Sequence, residues 1–251
     1  MGHLDGRGAV VTGGSRGIGR AVVRRLANDG ATVVFSYVAD EKAARDTVAE
    51  VQAAGGAATA VHADVADPVA AERLFQTADS VFTGAGVHGL DICVINAGIA
   101  DHAPVAQVTE RSYQAVMGVN AYGAFLTLQE AARRIADNGR IVAVSSTSTA
   151  WPSPGEAVYA ASKAAVEQFT RVASRELGHR GITVNTVSPG ATDTDLLRSG
   201  ASPQAYEMVA HMTALGRVGQ PTDIADVVSL LLRPEARWLT GQNLRADGGL
   251  V

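Results

Sequence analysis

Tyr159-Ala160-Ala161-Ser162-Lys163 sets a phenol and an ammonium four residues apart in an alanine-rich stretch of helical character. Residues at i and i+4 share a helix face, so the two heads are expected side by side. A free tyrosine has a pKa of ~10, too high for efficient proton exchange at neutral pH. A close cation favours phenolate, and ~3 kcal/mol of such stabilisation would bring the value to ~8. The pair therefore reads as a proton-exchanging group, with Lys163 lowering the pKa of Tyr159. Upstream, an apolar run ends in Val144-Ser145-Ser146. Either serine there could hydrogen-bond a substrate oxygen while the phenol exchanges its proton.

A second chemical feature lies near the N-terminus. The run Ala9–Thr12 leads straight into Thr12-Gly13-Gly14-Ser15-Arg16-Gly17-Ile18-Gly19, followed by a helical stretch. Glycines let the backbone turn tightly against a pyrophosphate, and the free N–H groups and dipole of a helix start favour an anion. The spacing Gly13-x3-Gly17-x-Gly19 is neither GxGxxG nor a phosphate loop ending in Lys-Ser/Thr. Its place between a strand and a helix nonetheless points to a dinucleotide. The next strand ends Val33-Val34-Phe35-Ser36-Tyr37, without the carboxylate that holds the ribose 2′-hydroxyl in NAD-selective sites. Ser36 can donate to a 2′-phosphate and Arg16 can pair with one, so NADP(H) is the expected cofactor.

These groups need a scaffold. Apolar strand candidates run over Ala9–Thr12, Thr32–Ser36, Ala58–His62, Ile92–Ile95, Arg140–Val144, Thr183–Val187 and Gln242–Ala246. Helix candidates lie near 18–29, 41–54, 68–83, 110–136, 157–179 and 222–232. Asp67-Pro68 and Ser202-Pro203 each put a capping side chain before a proline, while Gly30 and Gly181 suit left-handed helix ends. Strands apolar on both faces, alternating with helices, imply a doubly wound α/β fold of about seven mainly parallel strands. The whole chain, 1–251, reads as a single domain. The segment 191–220 is irregular and glycine-rich, and is expected to form a lid over the site.

Composition narrows the function classes. The chain has 251 residues, 47% hydrophobic, with a formal net charge of −4, which disfavours a nucleic-acid partner. No apolar run reaches the ~18 residues of a membrane helix, and the start lacks signal-peptide character. A cytoplasmic protein is expected. The single cysteine, Cys93, cannot form an internal disulfide, and the six histidines (3, 62, 88, 102, 179 and 211) lack metal-ligand spacing.

Taken in order, these motifs resemble the short-chain dehydrogenase/reductase family, in its single-domain branch of about 250 residues with a Rossmann-type sheet. The residues carrying the resemblance span the chain: the 12–19 turn, Asp64, Asn96-Ala97-Gly98, Asn120, Ser146, Tyr159, Lys163 and Pro189-Gly190-x3-Thr194. The resemblance implies hydride transfer between NADP(H) and a carbonyl or alcohol carbon. It implies that Tyr159 is the general acid/base, that Ser146 rather than Ser145 orients the reacting oxygen, and that Lys163 also holds the nicotinamide ribose. Asn120 is expected to position a water that links Lys163 to solvent. Gly13, Ser15, Arg16, Gly17, Ile18 and Gly19 would hold the pyrophosphate side. Asp64 and Val65 would meet the adenine, and Asn96, Ala97 and Gly98 the adjoining sugar. Pro189, Gly190, Thr192 and Thr194 would border the nicotinamide, with Thr194 at its carboxamide. The chain departs from the frequent Asn-Asn-Ala-Gly pattern in having Ile95 first, which puts one structural hydrogen bond in doubt.

The substrate wall is expected from Ser148, Trp151, Pro152 and Val158 on one side and Leu196, Leu197, Met208 and Met212 on the other. Glu156 and His211 read as solvated rim residues. A mostly apolar wall suits a 3-oxoacyl, polyketide or cyclic or aromatic ketone, free or carrier-bound. The sequence is similar to β-ketoacyl-acyl-carrier-protein reductases and hydroxynaphthalene reductase-like members of the family. The alternatives are a sugar, steroid or polyol dehydrogenase working in oxidation, or a non-catalytic nucleotide sensor. Relatives commonly form homotetramers through the helices near 110–136 and 157–179 and the last strand. Ala131, Ala132, Ala164 and Ala165 would permit close helix approach.

Overall fold

The computed structural model describes residues 2–200 and 203–251. Seven strands form one sheet: β1 (Gly8–Val11), β2 (Thr32–Tyr37), β3 (Ala57–His62), β4 (Leu90–Ile95), β5 (Arg140–Val144), β6 (Thr183–Pro189) and β7 (Asn243–Ala246). Their order is β3-β2-β1-β4-β5-β6-β7, and every neighbouring pair is parallel. The order reverses between β1 and β4, which opens a crevice at the strands' C-terminal ends.

The strands are apolar on both faces because both faces are covered. One layer holds α1 (Gly17–Asn28), α2 (Glu41–Ala53) and α9 (Pro221–Leu232), which bury Val22, Leu26, Val51, Ile224 and Val228 against Val11, Val33 and Phe35. The other holds α3 (Pro68–Gly84), α5 (Ala124–Arg134) and α6 (Ala157–Leu177), packing Leu74, Phe75, Phe82, Leu128 and Val166 against Val10, Val34 and Ile141. Each such fully buried side chain stabilises the fold by about 1.5–3 kcal/mol before entropy is counted. Cys93 lies in the middle of β4 with no exposed surface, and burial pushes its thiol up to about 12.

Local signals act as their chemistry requires. The Asp67 side chain accepts from Val69 N at 2.9 Å to cap α3. Gly30 and Gly181 take positive φ of 104° and 70°. Ser202, expected as a cap, lies outside the described residues. The single helix expected over 110–136 is instead three pieces: α4 (Glu110–Met117), a π-helical turn (Gly118–Gly123) and α5. A Cβ at Gly123 would sit 2.8 Å from Val65 Cγ2, so that glycine lets the widened turn close on the β3–α3 loop. The irregular segment before α9 contains two short helices, α7 (Asp195–Gly200) and α8 (Pro203–Met212). Among the described residues, no helix is long and apolar enough to cross a membrane.

Candidate active site

The glycine turn joins β1 to α1 at the crevice. Gly13 and Gly17 take φ of 68° and 54°, a region costly for a side chain. A Cβ at Gly19 would lie 2.0 Å from the Gly13 carbonyl oxygen, so only glycine lets the first helical turn sit on the loop. Thr12 Oγ1 accepts from the N–H groups of Asn96 and Ala97 at 3.0 and 3.1 Å. Asn96 returns its side-chain amide to the carbonyls of Thr12 and Gly13, at 3.0 and 3.1 Å. Asn96 and Ala97 thus lock the turn to the end of β4. Ser15 is buried, and Ile18 is half-buried against the core.

Arg16 occupies the N-cap of α1, is exposed, and makes no capping hydrogen bond. By contrast α2, α3 and α4 are capped by Asp40, Asp67 and Thr109. The start of α1 therefore keeps N–H groups and a helix dipole for an outside anion, with a guanidinium beside it. Among the described residues no carboxylate pairs with Arg16. A dinucleotide pyrophosphate fits this cradle. Ser36 does not play the expected part: it is 2% exposed, and its Oγ accepts from Gly13 N at 3.0 Å. It braces the turn from below, because the alternation of β2 turns its side chain inward.

The other expected cofactor residues line the same edge. Asp64 is exposed after β3 and accepts from Ala66 N at 2.9 Å, while Val65 turns inward and is 3% exposed. Gly98 leaves room for its neighbours, since a Cβ there would stand 3.2 Å from Lys163 Nζ. Pro189 ends β6, and Gly190 lies so close to Asp247 that a Cβ would reach its Cα at 2.8 Å. Thr192 is buried and donates to the Gly190 carbonyl at 3.0 Å. Across the crevice, a Cβ at Gly17 would be 3.2 Å from Thr194 Cγ2, so the glycine turn faces the loop after β6.

Beyond β5, Ser146 takes an extended conformation at the head of a short 3-10 turn, where its Oγ accepts from Ser148 N at 3.1 Å. The Ser146 hydroxyl also acts on the Tyr159 phenol, whose pKa it lowers against the effect of burial. Lys163 is 5% exposed; its Nζ donates to the Val144 carbonyl at 2.9 Å and stands 6.0 Å from the centre of the Tyr159 ring. Asn120 is buried in the π-helical turn. Its Oδ1 accepts from Ile99 N at 2.8 Å, and its Nδ2 donates to the Ile99 carbonyl at 2.8 Å and to Ser162 Oγ at 3.0 Å. Serine, tyrosine, lysine and asparagine, scattered over the 44 residues from 120 to 163, are thus neighbours at one sheet edge.

Burial dominates the electrostatics of the pair. Burial raises the Tyr159 pKa above its ordinary value, Ser146 partly offsets this, and the Glu156 charge adds to the rise. The Lys163 ammonium stands over the ring, and burial pulls its own pKa down to about 8.

The substrate side is mixed. Trp151, Leu196, Met208 and Met212 are 50%, 43%, 65% and 45% exposed, so apolar surface is displayed on both flanking segments. Pro152 and His211 are exposed, and Ser148, Val158 and Leu197 half-buried. Glu156 is not the solvated rim residue expected. Its Oε2 is buried without a hydrogen-bond partner among the described residues, and its Oε1 lies 3.9 Å from His102 Nδ1. Its place at the N-cap of α6, one turn before Tyr159, draws it in. Glu167 was the residue the motif pattern passed over. It had a cue, standing two turns beyond Tyr159 on the same helix face.

A family model described as Enoyl-(Acyl carrier protein) reductase matches residues 13–251. An oxidoreductase of Methylorubrum extorquens is 42% identical over 254 residues, covering 100% of both chains. The chain belongs to the short-chain dehydrogenase/reductase family, whose members are oxidoreductases. The solved structure of a short-chain dehydrogenase from Burkholderia cenocepacia, in complex with NADP, is 39% identical with a TM-score of 0.92, covering 99% of each chain. That of the angucycline C-6 ketoreductase LanV, with bound NADP, is 38% identical with a TM-score of 0.93, covering 99% of this chain and 97% of its own. This short-chain dehydrogenase/reductase accommodates its departure at Ile95 by packing the side chain into the core, where it is 4% exposed.

Proposed function

We propose that this short-chain dehydrogenase/reductase uses NADP(H) to reduce an apolar ketone to a secondary alcohol, with Tyr159 as general acid. The observation carrying this reading is the convergence of Ser146, Tyr159 and Lys163 beside an uncapped helix start. When bound, the nicotinamide supplies the hydride.

Tyr159 gives its proton to the substrate oxygen; burial keeps the phenol protonated until that oxygen becomes strongly basic. Ser146 donates to the same oxygen and shares its developing charge. Lys163, pulled to about 8 while Tyr159 is pushed up, is the downhill proton source for the spent phenolate. Its position against Gly98 suits it to hold the nicotinamide ribose hydroxyls. Asn120 braces Ile99 and Ser162, and so fixes the wall behind the lysine.

Arg16 would pair with the 2′-phosphate, as no acid at the end of β2 opposes it. The described part of the segment 191–220 would cover the substrate, with Leu196, Met208 and Met212 as its apolar surface. Apolar surface on both flanks favours an acyl, polyketide or aromatic ketone over a sugar. Exposed Tyr122 and Phe125, the latter edge-on to Phe169 with ring centres 5.4 Å apart, favour self-association through α5 and α6 into a homotetramer. Ala131 takes no part there, since it is fully buried in the core.

A panel of acyl, aromatic and sugar ketones, followed by NADPH oxidation, tests the assignment. Turnover of apolar ketones that drops roughly 10²–10⁴-fold in Tyr159→Phe, with NADPH still bound, is expected. Parental turnover by Tyr159→Phe would defeat it.

A further inference from the structure

Glu167 lies one turn beyond Lys163 and two beyond Tyr159 on α6, so all three share one face. Its Oε1 accepts from Ser145 Oγ and from Thr149 Oγ1, each at 2.7 Å. Ser188 Oγ, at the end of β6, lies farther off at 3.4 Å and has its shorter bond, 2.7 Å, to Asn243 Oδ1.

The two short bonds bracket Ser146. Ser145 precedes it directly, and Thr149 closes the turn that follows, with its Oγ1 also 2.9 Å from the Ser146 carbonyl oxygen. Ser145 Oγ stands 3.3 Å from the Lys163 carbonyl oxygen as well. A single carboxylate oxygen thus ties the helix bearing the tyrosine to the strand end bearing the serine. Hydroxyl bonds to an ionised acceptor are shorter and stronger than neutral ones, so the tie is stiff. A carboxylate drawn out of water needs such donors, and both come from the flanks of one residue.

We propose that Glu167 is a positioning residue that sets the Ser146 hydroxyl against the Tyr159 phenol by clamping both flanks of the Ser146 turn. This rests on the reading of Ser146 and Tyr159 as the pair handling the substrate oxygen. Small misplacements of such a pair are costly, because alignment and preorganised donors supply much of the rate. Among the described residues the Glu167 side chain bonds only Ser145, Thr149 and, more distantly, Ser188, so its removal is expected to act on kcat and leave the Kd for NADPH unchanged.

A double-mutant cycle tests the clamp, using the full-length protein, NADPH and the best ketone of the panel. Glu167→Ala is expected to lower kcat roughly 10- to 100-fold with the Kd for NADPH unchanged. Glu167→Gln, which keeps an acceptor oxygen in place, should recover most of the loss. Thr149→Val, which keeps the shape and removes one clamp bond, should fall between. In a Ser146→Ala background all three changes should leave kcat where Ser146→Ala alone put it. Equal fold-losses in both backgrounds, or parental kcat in Glu167→Ala, would overturn the proposal. If Glu167→Ala does not fold, Thr149→Val decides by the same comparison. Parental turnover in both Ser146→Ala and Tyr159→Phe would instead remove the underlying active-site reading, and the clamp with it.

Discussion

The Lys163 ammonium stands over the Tyr159 ring, 6.0 Å from its centre, and is held there by the Val144 carbonyl at 2.9 Å. The cation therefore belongs as much to the end of β5 as to the phenol. Its cost follows from its surroundings. Burial lowers the Lys163 pKa from 10.5 to about 8, which corresponds to about 3 kcal/mol. A depressed folded value means that the unfolded chain binds the extra proton between these two pH values. Stability from this group is thus present above pH 10.5 and lost as pH falls through about 8.

Lys163→Met should accordingly melt no lower than the parent at pH 7, despite losing activity. The advantage of the variant should shrink as pH rises from about 8 to above 10.5. Thermal melts across that range check both the sign and the window.

The phenol of Tyr159 is pushed up by burial and, secondarily, by the Glu156 charge. Glu156→Gln removes the second cause, so the Tyr159 titration should move to lower pH. Ultraviolet difference titration against Tyr159→Phe measures it directly; an unmoved or raised titration would refute this coupling.

Arg16 is exposed at the start of α1 and pairs with no carboxylate among the described residues. Arg16→Ala should raise the KM for NADPH about 10- to 100-fold, the worth of one charge-assisted hydrogen bond, and leave the KM for NADH nearly unchanged. Equal effects on both cofactors would show that the guanidinium does not read the 2′-phosphate.

Gly19 has no space for a methyl group, the Gly13 oxygen being 2.0 Å from where it would sit. Gly19→Ala should weaken NADPH binding at least roughly 100-fold, since the turn must open to admit the methyl. Isothermal titration calorimetry reads the loss.

Much of this architecture was legible from residue types alone. Strands apolar on both faces announced a covered parallel sheet, and β5 begins and ends where its pattern does, at Arg140 and Val144. Ser146, Tyr159 and Lys163 were findable from spacing, because the first follows the end of β5 and the others lie in the opening two turns of α6, whereas Asn120 came only from the family resemblance. The π-helical turn was not, since Gly118 and Gly123 look like any helix glycines until Val65 is brought against one of them. Ser36 was misplaced for a related reason: a strand's last residues alternate faces, and a hydroxyl suits either the ligand or the loop beneath it. Glu156 sits at the N-cap and Glu167 inside the same helix, yet among the described residues one has an oxygen without a partner and the other accepts from one serine and one threonine hydroxyl. Only tertiary packing distinguishes them.

Cys93 carries a practical consequence. Its thiol sits in the middle of the sheet and ionises only near 12, so alkylating reagents meet no nucleophile while β4 stays paired. Labelling must then wait for the sheet to come apart. The rate of modification under mild denaturant is a built-in clock for global opening, readable without adding a reporter group.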